Sequence, residues 1–177
     1  MKRAAWWSFI ATGVVAVAAV AWLTPKGNVG VEIGDRLPEF SAVSLEGEEV
    51  SSADLEGEVV LLTVWATWCG PCRLEMPSIQ AAYERFGDDG LKIVAVSIDA
   101  DPNYRVKVEE FRQEFGLTFP MLLDPANEIT RTLNTIGVPE NFVLDRRGRI
   151  VKRIVGASNW DSEANRAMFE ELLRMSE

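Results

Sequence analysis

Val59-Val60-Leu61-Leu62-Thr63-Val64-Trp65, followed four residues on by Cys69-Gly70-Pro71-Cys72, decides how the rest of the chain is read. The seven-residue run is apolar at both alternations, the pattern of a central strand buried by helices on either side. It delivers two cysteines separated by two residues to its carboxyl end, where a segment of helical pattern opens. That arrangement points to a redox-active dithiol. Cys69 falls where the helix begins, facing unpaired backbone N–H groups and the positive end of the helix dipole, which favour thiolate over thiol. Each pKa unit gained this way corresponds to about 1.4 kcal/mol. Cys72, one turn further in, is expected to be more buried and to act as the resolving thiol. The competing readings are a structural disulfide and half of a zinc site. Zinc asks for four Cys, His or carboxylate ligands, and the chain has no histidine and no second cysteine pair; no metal site is expected.

The chain has 177 residues, enough for one domain with an appendage and for an ample core. Its formal charge of −9 argues against a nucleic-acid or anionic-lipid surface. With zero histidines, the usual general base and metal or haem ligand is missing, so proton transfer must run through carboxylates or the thiols.

Met1-Lys2-Arg3 precedes an uncharged stretch, Ala4 to Leu23. As a helix this stretch rises about 30 Å, the thickness of a bilayer's hydrocarbon core. Trp6, Trp7 and Trp22 lie near its two ends, as aromatic residues do at membrane interfaces. The reading is a single-pass signal-anchor over residues 4–23, within an N-terminal segment 1–23, with the basic end on the cytoplasmic side. A cleaved secretory signal competes, with Ala19-Val20-Ala21 as its small-x-small site. Either way the domain is exported, into a compartment where disulfides persist. Residues 24–33, with Pro25, Gly27 and Gly30, read as a linker, and residues 34–177 as the folded domain.

Within that domain, Phe40 to Val50 alternates around Glu46-Gly47 and predicts a hairpin covering a sheet edge. The helix after the cysteines carries Leu74, Ile79, Ala82 and Phe86 as its apolar residues and stops at Gly87 to Gly90. Leu91 to Ile98 predicts a second buried strand. Asp101-Pro102 caps a helix to about Phe115, with Val108, Phe111 and Phe115 inward. Phe119 to Leu123 is a third strand and Ala126 to Ile136 a short helix. Strands at Asn141 to Leu144 and Arg149 to Val155 flank Arg146-Arg147-Gly148. Asp161 to Met175 closes the chain as an amphipathic helix carrying Ala164, Met168, Leu172 and Met175 on one side. The fold class is α/β, a mixed sheet covered on both faces.

Trp68-Cys69-Gly70-Pro71-Cys72 resembles the active site of the thioredoxin superfamily. Glu75-Met76-Pro77, Phe119-Pro120 with Asp124, and Gly137-Val138-Pro139-Glu140-Asn141-Phe142 narrow the resemblance to the TlpA, ResA and CcmG (DsbE) group, over about residues 34–177. That group comprises membrane-tethered or exported thiol-disulfide oxidoreductases of bacteria. The resemblance implies a thioredoxin fold with a strand and helix inserted within Leu91 to Leu123. Many members have Thr where this chain has Asn141.

What the resemblance implies at single residues is specific. Thr63 stands where thioredoxins place a buried acid, and a hydroxyl cannot take up a proton at neutral pH. Glu75, three residues after Cys72 on the same helical face, matches the acid the family uses beside the dithiol. Burial there would raise its pKa. Pro139 matches the family's cis-proline, which leaves the backbone of Val138 free to pair with a substrate strand. Trp68 would shield Cys69, with Gly70 and Pro71 completing the substrate-contacting surface; Trp65 reads as core. The implied activity is reduction of protein disulfides on the extracytoplasmic side of the bacterial cytoplasmic membrane. Apocytochrome c is a candidate client and a transmembrane thiol the candidate electron donor, with no cofactor beyond the Cys69–Cys72 disulfide. A disulfide-forming oxidant using the same residues in reverse, and a non-catalytic binding module with a structural disulfide, are the alternatives. The two redox directions are separated by potentials of about −270 mV for a thioredoxin and about −120 mV for DsbA, roughly 7 kcal/mol for two electrons. A thiol peroxidase is disfavoured because Leu62 and Ala66 occupy the positions of its proline and threonine.

Overall fold

A computed structural model describes residues 31–175. The membrane anchor expected over residues 4–23, and the linker up to residue 30, lie outside the described residues. Among the described residues no helix is long and apolar enough to cross a membrane. Seven strands form one sheet: β1 (Ser41–Ser44), β2 (Glu49–Ser51), β3 (Val59–Trp65), β4 (Leu91–Ser97), β5 (Met121–Leu123), β6 (Glu140–Leu144) and β7 (Ile150–Val155). Among the described residues, four α-helices cover it: α1 (Gly70–Phe86), α2 (Tyr104–Phe115), α3 (Glu128–Leu133) and α4 (Glu163–Arg174). The spatial order is β2-β1-β5-β4-β3-β6-β7. β3, β4 and β5 run parallel, while β6 pairs antiparallel with β3 and the β1–β2 hairpin lies antiparallel on β5.

Every residue of β3 is buried, as its two-sided apolar pattern requires. Val59, Leu61 and Trp65 face a core built with Met76, Ile79 and Phe86 of α1, Val108 and Phe111 of α2, and Phe169 of α4. Val60, Leu62 and Val64 face the opposite core, with Ile129 and Leu133 of α3 and with Phe40 and Leu55. Each such side chain contributes about 1.5–3 kcal/mol on burial. The strand is therefore held from both sides, and its carboxyl end has a fixed place. α2 and β5 occupy the stretch where an inserted helix and strand were expected, and the hairpin covers the β5 edge. At the opposite edge, residues 34–37 run along β7, with Gly34 N–H donating to the Ile150 carbonyl at 2.8 Å and Leu37 N–H to that of Gly148 at 2.8 Å.

Several boundaries differ from the sequence reading. Leu74 is 82% exposed, and Met76 takes its place in the core; Leu74 lies two residues beyond Cys72, about 200° round the helix. On α4 the buried residues are Asn165 and Phe169, with Met168 and Leu172 only packed against the core, and Ala164 and Met175 exposed. Asn165 can face inward because its amide is satisfied, accepting from Lys152 Nζ at 2.7 Å and donating to the Asn159 carbonyl at 2.8 Å and to Ser158 Oγ at 3.4 Å. α2 starts at Tyr104 because Asp101 forms a turn, its carboxylate accepting from Asn103 N–H. α3 is shorter than Ala126 to Ile136, since Asn127 and Asn134 adopt left-handed conformations at its two ends. Val31 is buried in the core opposite α1, so the packed body begins before Gly34.

A buried ion pair ties that start to the sheet. Glu140 is fully buried, and its Oε1 accepts from Arg153 Nε at 2.6 Å. Its Oε2 accepts from Ile136 N–H at 2.8 Å, and Arg153 also donates to the Val31 carbonyl at 2.7 Å. Arg153→Met leaves Glu140 as a buried charge without its cation, and we expect a loss of about 3–5 kcal/mol in urea unfolding. The double variant with Glu140→Gln is expected to regain part of that loss.

Candidate active site

The carboxyl end of β3 leads through Ala66 and Thr67 into the amino terminus of α1. Asp99, buried just past β4, fixes this passage by accepting from Thr67 N–H at 2.9 Å, Thr67 Oγ1 at 2.6 Å and Ser97 Oγ at 2.8 Å. Sequence reasoning missed Asp99. The signal was available, because pairing β3 in parallel with β4 puts Trp65 opposite Ser97 and brings the two strand ends side by side.

Cys69 occupies the N-cap of α1 in an extended conformation, and its Sγ accepts from Cys72 N–H at 3.1 Å. Pro71 lies in the first turn, where its missing N–H costs no helical bond. Cys69 and Cys72 are joined as a disulfide. Cys69 is 4% exposed and Cys72 not at all, in the order expected from their places on the helix. Gly70 and Pro71 are exposed, and Trp68 stands 67% exposed beside Cys69, whereas Trp65 is fully buried. Trp68 is thus a surface side chain rather than a core one.

The Val138–Pro139 peptide bond is cis. Glu140 pairs with Val64, so Pro139 comes to the end of β3 from which the chain departs toward Cys69. Pro139 is buried and Val138 half-buried. Among the described residues, no hydrogen bond uses the Val138 N–H or carbonyl, while the Pro139 carbonyl accepts from Gly156 N–H at 2.8 Å.

Glu75 lies one turn beyond Cys72 and is 2% exposed. Its Oε1 accepts three hydrogen bonds, from Trp160 Nε1 at 2.6 Å, Ser158 N–H at 2.9 Å and Asn141 Nδ2 at 3.0 Å. Its Oε2 is buried with no protein partner. Burial raises the Glu75 pKa above the ordinary glutamate range, against the opposing pull of the three donors, Ser158 first, then Trp160 and Asn141. Thr63 lies on the same face of the sheet, between Leu61 and Trp65 in the alternation, and is fully buried. Sequence reasoning singled out Glu75 but not Ser158 or Trp160, which are more than eighty residues away along the chain.

A cysteine pair at a helix amino terminus, at the end of a buried central strand and beside a cis-proline, defines a thiol-disulfide oxidoreductase of thioredoxin fold. The Redoxin family model matches residues 32–171. ResA, a thiol-disulfide oxidoreductase of Bacillus thuringiensis subsp. konkukian, is 33% identical over 144 residues, covering 81% of this chain and 78% of the relative. The thioredoxin-like protein YneN of Bacillus subtilis is 37% identical over 131 residues, 74% of this chain and 76% of YneN. A solved structure described as a DsbE thiol:disulfide interchange protein from Chlorobium tepidum superposes with a TM-score of 0.73 at 30% identity, over 81% of this chain and 99% of that one. The chain belongs to the Redoxin family, in its TlpA/ResA/CcmG group, and is a thiol-disulfide oxidoreductase of the ResA/DsbE type with the Cys69–Cys72 pair.

The raised pKa of Glu75 has a stability consequence of definite sign. Folding favours the protonated carboxyl, so this stability is complete below the ordinary value of 4.5 and is lost as pH rises through the folded-state pKa. Glu75→Gln cannot ionise. Its melting temperature relative to the natural protein is expected to climb with pH above about 4.5 and to level off once Glu75 is ionised; a difference independent of pH would contradict the assignment.

Proposed function

We propose that the protein is a membrane-tethered oxidoreductase that reduces disulfides of exported proteins on the extracytoplasmic side of the bacterial cytoplasmic membrane. The observation that carries the reading is the placement of Cys69 at the helix N-cap with Cys72 buried behind it and Glu75 buried one turn further on. In the reduced protein, the exposed amino-terminal N–H groups and the helix dipole stabilise a Cys69 thiolate. This thiolate attacks one sulfur of a client disulfide and expels the other, forming a mixed disulfide. Cys72 must then lose its proton to attack Cys69 Sγ. With no histidine in the chain, the acceptor within reach is the Glu75 carboxylate. Its raised pKa brings it nearer the working pH than an exposed glutamate.

Val138, Pro139 and Trp68 supply the client surface. The unpaired Val138 backbone offers a donor and an acceptor to an extended client segment, and the exposed Trp68 indole offers apolar contact. The clients fitting this chemistry are oxidised exported thiol proteins, apocytochrome c among them, and electrons would return from a transmembrane thiol donor. No cofactor beyond the cysteine pair is called for. Gly70-Pro71 between the cysteines matches the thioredoxin choice, which favours the reducing direction.

Equilibration with glutathione and dithiothreitol buffers is expected to give a potential near −270 mV, roughly that of a thioredoxin. A value near −120 mV, that of the oxidant DsbA, would reverse the assigned direction, and a disulfide that resisted exchange would remove catalysis altogether. Cys72→Ser is expected to accumulate mixed disulfides through Cys69 on non-reducing gels, whereas Cys69→Ser forms none; equal trapping by both variants would undo the division of roles.

A further inference from the structure

The loop that carries Val138 leaves α3 at Asn134 and enters β6 at Glu140, and its attachments converge on one ion pair. Arg153 on β7 uses all three guanidinium nitrogens. Nε and Nη2 each lie 2.6 Å from Glu140 Oε1, Nη1 donates to the Val31 carbonyl at 2.7 Å, and Nη2 also donates to the Asn134 carbonyl at 3.4 Å. The guanidinium sits over the buried Phe142 ring, 5.4 Å from its centroid. The second oxygen of Glu140 accepts from Ile136 N–H at 2.8 Å. The pair therefore grips the loop at its start, at Ile136 and at its end, with Gly137 and Val138 between the grips.

Glu140 alternates with Phe142 and Leu144 along β6, so it points into the core opposite α1, whereas Cys69 and Cys72 belong to the core on the α1 side. The pair touches no reacting atom and can act on the reaction only through the loop backbone. Its stability contribution does not account for it, because a buried ion pair adds little over well-packed apolar side chains of the same volume. Apolar side chains, however, cannot accept from one main-chain N–H and clasp a main-chain carbonyl at the same time. A loop without such grips would have to be ordered each time a client segment paired with it, and that ordering is subtracted from affinity.

We infer that Arg153 and Glu140 are positioning residues for client recognition: they hold the unpaired Val138 backbone in place for an extended client segment, and they leave the sulfur chemistry alone. The inference rests on the client surface assigned above and deepens it. It separates two classes of substrate. A disulfide carried on an extended polypeptide backbone gains from the held loop, and a small disulfide without a backbone does not.

The test is single-turnover reaction of the reduced full chain, always in excess and over a series of concentrations, with two disulfides. One is 5,5′-dithiobis(2-nitrobenzoate), and the other is an extended peptide whose single cysteine forms a mixed disulfide with the same nitrobenzoate thiol. The coloured thiolate reports both reactions. In Glu140→Gln the amide has one acceptor oxygen and cannot accept from both Arg153 and Ile136 N–H at its two ends. This variant is expected to raise the half-saturating concentration for the peptide about tenfold, inside the roughly 10²-fold that a small misplacement can cost. Its rate at saturation and its rate with the small disulfide are expected to stay at the natural values. Arg153→Lys keeps a cation against Glu140 without the fork that reaches Val31 and Asn134, and is expected to shift the same quantity by less. The Glu140→Leu/Arg153→Met double variant replaces the pair with apolar side chains. It is expected to show the full shift at a melting temperature above that of Arg153→Met alone. Peptide and small-disulfide rates falling together in Glu140→Gln, or a natural half-saturation in both Glu140→Gln and the double variant, would overturn the positioning role and leave the client surface standing. A natural protein that shows no saturation with the peptide would remove the client surface at Val138 and this inference with it.

Discussion

One carboxylate oxygen joins most of what matters in this molecule. Oε1 of Glu75 gathers Asn141 from β6, Ser158 from the segment after β7, and Trp160 from the approach to α4. These donors reach α1 from across the sheet and from the far end of the chain. Hydrogen bonds to a charged group are worth about 1.5–3 kcal/mol each, but a buried carboxylate forfeits its hydration in exchange. The two effects oppose each other here, and burial exceeds the donors, which is why the pKa rises. Trp160 carries the consequence outward, its ring 6.0 Å from Phe169 of α4. The same contact that tunes the acid thereby docks the last helix.

The dithiol has to be reachable while its resolving half stays dry. The fold separates these demands along one turn of α1, since Cys69 caps the helix and Cys72 points into the core. That separation depends on where β3 ends. The strand is locked by cores on both faces and by seven paired positions with β4, and Asp99 extends the lock through Thr67 to within two residues of Cys69. On the other flank, Glu140 follows Pro139 directly and is held by Arg153, while its second oxygen takes the N–H of Ile136. The loop carrying the cis bond is thus clamped from behind. Its outer side remains open, with Ile136 exposed, and Trp68 stands exposed beside Cys69.

What could be read from the sequence follows the range of the interactions. The strand Val59–Trp65 was legible because its pattern is local and unambiguous, and the cysteine motif because five residues in order carry the chemistry. Pro139 was legible only through resemblance, since nothing local distinguishes a cis bond from a turn. Glu75 could be suspected from its spacing to Cys72 only together with the family resemblance, but Ser158 and Trp160 could not, because hydrogen bonds across more than eighty residues leave no periodic trace. The apolar stripe of α4 was misplaced for a related reason: Asn165 counts as polar until Lys152 and the Asn159 carbonyl satisfy its amide. Leu74 was counted with Ile79, Ala82 and Phe86 as one mostly helical apolar spacing, although the helical angle from Cys72 turns it toward solvent.

The absence of histidine gives the acid its weight. An imidazole would exchange protons near neutral pH without help, whereas a glutamate does so only when its ionised form is penalised. Burial supplies the penalty, and the triply bonded Oε1 confines the exchange to Oε2. The state of the cysteines supplies the rest. Thiolate on either sulfur is a negative charge within a turn or two of Glu75, and like charges in one buried site disfavour joint ionisation. Formation of the disulfide removes that charge from beside Glu75. The thiols and the acid are neighbours along one turn of α1, so the charge on one bears on the other.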